Sequence, residues 1–177
     1  MWGEGDGEGL EDVQVPSVQA QRVRARESAI GHLEADIANV ERSLVERLRS
    51  AHAELRTCAV REVSSNVVQT SASAVAYVKA SEADLRKAAV GLCNTTVLHS
   101  ELSGIAVVAV QQRAEMRGGL AGIVAAREVR AEGVRALLVI SPRIEGDIHP
   151  VLSARQALLA GVAFGLILFI LRRLTGR

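Results

Sequence analysis

Residues 107–120 read VVAVQQRAEMRGGL, and the reading of this stretch decides the fold. An apolar run leads into two glutamines, Met116 follows, and Gly118-Gly119 interrupts the pattern. Counting from Gln112 in alternating steps of three and four gives Ala109, Ile105, Leu102 and Leu98 before it. The same steps give Met116, Gly119, Ile123, Ala126, Arg130, Gly133, Leu137 and Ile140 after it. That spacing predicts an amphipathic helix over 95–141 with Gln112 on its apolar stripe and Gln111 beside it. Pro142 stops the helix. Gly118, Gly119 and Gly122 each cost roughly 0.5–1 kcal/mol relative to Ala in a helix. With Gly119, Arg130 and Gly133 on the stripe, the second half of the helix is weak, and a break at 118–119 into a hairpin stays open. So does a glutamine at the edge of an intramolecular bundle.

Working outward, Ile30, Leu33, Ile37, Val40, Leu44, Leu48, Ala51 and Leu55 form a heptad-like stripe that predicts a helix over 27–60. A second helical stretch covers 63–79, and Ser81 with Asp84 resembles a capping box that opens a third, ending near Gly91 and Asn94. Only 2% of the chain is aromatic and it has three prolines, a composition of long helices. The expected fold is all-α: an N-terminal antiparallel helical bundle, a membrane-proximal coiled-coil helix and a single C-terminal transmembrane helix.

The expected segments are an acidic, Gly-rich disordered leader (1–22), the bundle (23–94), the coiled-coil helix (95–141), a linker (142–154), the anchor (155–172) and a basic tail (173–177). The anchor rests on ALLAGVAFGLILFIL, in which Ala157, Leu158, Leu159, Val162, Phe164, Leu166, Ile167, Leu168, Phe169, Ile170 and Leu171 are the apolar residues. Arg155 and Arg172 bracket it and can snorkel to the interfaces. A net charge of +1 gives no indication of nucleic acid, and no signal peptide is visible in the acidic start. Cys58 and Cys93 belong to no ligand cluster, and free thiols are expected.

A membrane-proximal helix with a Gln on its seam and a C-terminal anchor resembles a SNARE protein. The string QQRAEMRGGLAGI is most similar to the Qb type of the early secretory pathway, membrin and its Golgi-SNARE relatives. The resemblance implies that Gln112 is a central-layer glutamine and that Leu98, Leu102, Ile105, Ala109, Met116, Ile123, Ala126, Leu137 and Ile140 are core layers. It implies partners: a syntaxin-type helix, a second Gln-type helix and an Arg-type helix. The implied function is vesicle docking and fusion at Golgi or ER membranes, with the bulk of the chain cytosolic, no cofactor and no small-molecule substrate.

The short anchor with Arg172, Arg173 and Arg177 beyond it is also similar to those of mitochondrial outer-membrane and peroxisomal proteins. The alternative is then a tail-anchored helical scaffold, adaptor or complex subunit. An enzyme is not expected: His32, His52, His99 and His149 show no metal-ligand spacing, and Ser103 and Ser153 lack an elbow motif. Glu34 with Asp36, and Glu101 with Glu115, read as solvated helix faces. The glycines of GEGDGEG form neither a phosphate loop nor a calcium loop.

Overall fold

Valine or isoleucine recurs every fifteen residues at Val15, Ile30, Val45, Val60, Val75, Val90 and Ile105. The computed structural model, which describes residues 8–150, turns that recurrence into architecture. Its strands are β1 (Glu8–Glu11), β2 (Gln14–Arg26), β3 (Ala29–Glu41), β4 (Leu44–Arg56), β5 (Ala59–Ser71), β6 (Ala74–Arg86), β7 (Ala89–Ile140) and β8 (Arg143–Pro150). Every strand pairs in parallel with its sequence neighbours, in the order β1 to β8. From β2 to β6 the register is a constant offset of fifteen residues: Ile30 pairs with Val45, Val45 with Val60, and Val60 with Val75. The chain is a parallel β-solenoid of about nine turns. Its coils are residues 14–28, 29–43, 44–58, 59–73, 74–88, 89–103, 104–119, 120–134 and 135–148, with 149–150 opening the next.

Within a coil, six side chains point inward. In 29–43 they are Ile30, Leu33, Ala35, Ala38, Val40 and Ser43, all buried and separated alternately by three and two residues. A step of two is one strand period, with a single outward residue between two inward ones. A step of three leaves two outward residues together and turns a corner. Three such pairs give a three-sided rod. In the column from Val15 to Ile105, β-branched residues rest on β-branched residues at the strand spacing of about 4.8 Å.

One corner carries a repeated device. Asp12, Glu27, Arg42, Thr57, Ala72, Lys87 and Leu102 all lie at φ of 47–55°. These are left-handed conformations that L residues adopt with strain. The inward residue that follows offsets it. The Oγ of Ser28, Ser43, Ser73 and Ser103 donates to the carbonyl two residues back, at 2.7–3.0 Å. The backbone N–H of the residue one coil earlier donates to the same oxygens: Ser28 to Ser43, Cys58 to Ser73, and Ala88 to Ser103. Cys58 takes the serine position in its coil, its thiol 3.1 Å from the Arg56 and Val40 carbonyls.

The stretch 107–120 changes character in this frame. Coil 89–103 has two residues, Thr96 and Val97, between the buried Thr95 and Leu98. Coil 104–119 has three, Gln111, Gln112 and Arg113, all exposed, between the buried Val110 and Ala114. The coil is therefore sixteen residues long, and its extra residue is absorbed at a corner. Gly118 and Gly119 then take positive φ, and Gly119 lies against the backbone of Ser103, sixteen residues earlier.

These observations correct the all-α expectation. The described residues contain no helix: the bundle of 23–94 is β2 to β6 with the start of β7, and the coiled-coil helix of 95–141 is the rest of β7. Residues 8–11 and 14–22 of the expected leader are strand, as are residues 143–150 of the expected linker. The misreading has a physical source. Two inward columns, Leu33, Val40, Leu48, Leu55, Val63, Thr70, Val78 and Leu85, are spaced alternately by seven and eight residues, close to a heptad over any short window. The anchor 155–172 and the tail 173–177 lie outside the described residues. Among the described residues no helix is long and apolar enough to cross a membrane.

Two stability outcomes follow from this geometry. Gly119→Ala forces a side chain onto φ +100° and into the Ser103 backbone, while Gly133→Ala meets only φ +63° with open space around it. Urea denaturation should show Gly133→Ala costing about 1 kcal/mol and Gly119→Ala costing at least about 2 kcal/mol. Thr70 is buried with its hydroxyl unpaired, in the column where Val40 and Leu55 sit. Thr70→Val should raise stability by about 1 kcal/mol in the same assay.

Candidate functional site: an uncharged apolar side of the rod

A rod with three outer surfaces can be read by what each displays. Several charged side chains stand in ladders, pairing with the opposite charge one coil away. Arg26 meets Glu41 at 3.2 Å, Arg42 meets Glu27 at 3.0 Å, and Arg47 meets Glu62 at 3.4 Å. Near the other end Arg113 meets Glu128 at 3.4 Å, and Arg130 bridges Glu128 at 3.2 Å and Glu145 at 3.0 Å. His99 Nδ1 lies 3.3 Å from Glu115 across the sixteen-residue coil. Constant register places these residues directly over one another, as cross-strand pairs require. In each pair at least one partner is more than two-fifths exposed, and the pair contributes at most about 1 kcal/mol. Hollows of about 390 and 400 Å³ lie among these side chains, lined by residues such as Arg117 and Glu132 in one and Glu54 and Arg86 in the other.

One side differs. The outward position that opens each coil reads Leu44, Ala59, Ala74, Ala89, Gly104 and Leu120 along the rod. Leu44 and Leu120 are 55% and 62% exposed, and the four residues between them are small. Two positions further on, the column reads Ala76, Gly91, Ala106 and Gly122, and beside it stand Tyr77, Leu92, Val107 and Ile123. In coils 74–88 through 120–134 these three columns hold no charged residue. In the coils before them the same columns hold Glu46, Arg47, Arg61 and Glu62. A shallow hollow of about 740 Å³ runs over the small residues from Leu44 to Gly104, with Glu46 and Arg61 in its lining toward the Leu44 end. Exposed Leu92, Leu120, Ile123 and Leu137 lie on this side, so much of the apolar surface that the described residues expose is gathered there.

The glycines set its relief. A Cβ at Gly91 would sit 2.6 Å from the Ala76 carbonyl oxygen, so the backbone there is pressed against the preceding coil. Gly104 is the opposite case: a Cβ there meets nothing within 4 Å, and the surface is open above it.

The residues expected to form a helical seam are dispersed. Leu98, Ile105, Met116 and Ala126 point into the rod. Leu102 is 58% exposed at a left-handed corner, Gln112 is exposed at the widened corner, and Ala109 is half-buried on a different side. Ile123 and Leu137 belong to the apolar side, and Ile140 is exposed in the last described coil. With no helix in the described residues, the expected syntaxin-type, Gln-type and Arg-type partner helices have no seam to join, and the coiled-coil expectation is corrected. The anchor residues, Ala157 to Leu171, lie outside the described residues. Among the described residues no group of three His, Cys, Asp or Glu side chains converges to hold a metal ion. Sequence reasoning missed Ala74, Ala89, Gly91 and Gly104 because small residues carry little weight in a helical pattern. A fifteen-residue alignment would have shown them as uncharged columns.

Comparison with protein families, curated proteins and solved structures finds no match to the chain.

Both cysteines are free and buried. Burial pushes the Cys58 thiol up, and it pushes the fully buried Cys93 thiol up to about 11. Both therefore stay protonated and poorly nucleophilic at neutral pH. Because the folded value of Cys93 lies above its unfolded value, its contribution to stability is complete below about pH 9 and is lost as pH rises toward about 11. Cys93 shares its inward column with Val63, Val78 and Val108. Cys93→Val should fold normally and reduce the alkaline loss of stability by about 2–3 kcal/mol, measured as urea midpoints across that pH range.

Proposed function

We propose that this chain is a structural scaffold, a rigid rod that works by holding another protein against its uncharged side. The observation that carries this reading is the charge-free surface over coils 74–134, on a rod whose other surfaces are lined with ion-pair ladders. Monomeric soluble proteins rarely expose a contiguous apolar patch beyond a few hundred Å² unless it binds something. A sheet side of small residues with an uncharged corner beside it suits a partner that is itself apolar and uncharged, because side chains packed across such a contact interdigitate without desolvating a charge. Tyr77 at the patch adds an amphipathic contact of the kind enriched at interfaces. Stacked coils supply the rigidity, since each coil is held along its length by backbone hydrogen bonds to its neighbours.

The scaffold reading keeps one element of the sequence expectations, a docking role, and moves it from a helical seam to a sheet surface. It is tested by placing charge on the patch. Leu92→Glu and Ile123→Glu change exposed side chains, so circular dichroism and thermal melting should match the parent chain. In native electrophoresis of cell extracts, the parent chain should migrate in an assembly larger than one chain, and both variants should fall to a smaller species. A parent chain that migrates alone, or variants that migrate with it, would overturn the reading.

A further inference from the structure

We propose that the partner on this surface is a second copy of the chain, packed side to side and antiparallel about a two-fold axis that passes over Gly104. This rests on the scaffold reading above and adds the identity of the partner.

The argument starts from relief. Along the opening column, two exposed leucines, Leu44 and Leu120, bracket a trough floored by Ala59, Ala74, Ala89 and Gly104. A two-fold interface brings one patch against itself, so every knob must find a hollow on the same patch. With the axis over Gly104, coil 104–119 faces itself, coil 120–134 faces coil 89–103, and coil 135–148 faces coil 74–88. Leu120 of each copy then stands over Ala89 and Gly91 of the other. The residue at the axis is the one with open space above it, which permits the closest approach of the two sheets.

Charge selects the same arrangement. An overlap of coils 74–148 leaves Glu46, Arg47, Arg61 and Glu62 outside the contact, where they keep their water. Centring the axis nearer the middle of the trough would set Leu44 of one copy on Leu120 of the other and bring those four charges into the contact. Parallel packing would lay each charged row over its own copy. Only Arg135 among the opening-column residues of the overlap is charged, and it sits in the outermost coil, at the rim.

Size predicts the strength. Five coils at about 4.8 Å and a side about 16 Å wide give roughly 400 Å² per copy, or roughly 800 Å² in total. That is below the range of permanent dimers, so the pair should form reversibly and dissociate on dilution.

Sedimentation velocity of the 177-residue chain, purified and held in solution by a non-denaturing detergent, tests this over a dilution series. The parent chain should pass from monomer to dimer with concentration. Gly104→Glu should remain monomeric, with its circular dichroism unchanged because its side chain enters open space. Ser81→Glu, on another side of the rod, should dimerise like the parent. Leu120→Ala should weaken the dimer by about tenfold, as loss of a central anchor does, and Leu44→Ala should leave it unchanged. A parent chain that stays monomeric, or a Gly104→Glu variant that dimerises normally, overturns self-pairing. A larger loss from Leu44→Ala than from Leu120→Ala overturns the placement of the axis. A monomeric purified chain leaves the scaffold reading to its own electrophoretic test in extracts, so the two fail separately.

Discussion

The structure depends on one constraint: each coil must stack on the residues fifteen positions before it. Backbone hydrogen bonds run along the rod, and the inward columns match only when the offset is kept. A slip of one residue would send the inward set outward, so the valine and isoleucine column at Val15, Ile30 and Val45 fixes register as well as burial. The left-handed corner at Glu27, Arg42 and Thr57 closes the period, and the inward serines satisfy the backbone groups beside it. Strain at that corner is tolerated because stacking over-determines it.

The same constraint explains where the chain bends its own rule. The extra residue among Gln111, Gln112 and Arg113 sits at a corner, where two outward residues already stand together and a third disturbs no inward column. Downstream the fifteen-residue register resumes, with Arg113 over Glu128 and Arg130 over Glu145, until a second irregularity between Glu132 and Val134 shortens the offset to fourteen. Positive-φ glycines at Gly118 and Gly119 complete the adjustment. The two glutamines are there because a solvated corner accepts polar residues, and their place on a three-four count is a coincidence of spacing.

How much of this was legible in the sequence is clear from the stripe Ile30 to Leu55. Ile30, Leu33, Val40, Leu48 and Leu55 are buried as expected, but Ile37, Leu44 and Ala51 are not. Inward columns alternating by seven and eight residues share Leu33, Val40, Leu48 and Leu55 with that heptad-like stripe. A composition rich in Ala, Arg, Glu and Leu, with little aromatic content, tilts that ambiguity toward helix although the column at Val15, Ile30 and Val45 is β-branched. The fifteen-residue recurrence of valine was visible and decisive, and no helix has that period. The apolar side was harder to see. Its residues are small and belong to different coils, so they form a surface only once the period is known.

That surface then ties fold to function. Fixed register turns a sequence column into a continuous strip, so absence of charge in four successive coils becomes one uncharged patch rather than scattered neutral residues. The claim on which all of this stands is the fifteen-residue stacking itself. It is tested most directly by spin labels on cysteines placed at Glu34 and Arg49, which are exposed and paired across neighbouring coils. The solenoid predicts backbones about 5 Å apart and strong dipolar broadening of the spectrum. A helix through the same residues would hold the labels about 22 Å apart, and a spectrum without broadening would contradict the fold.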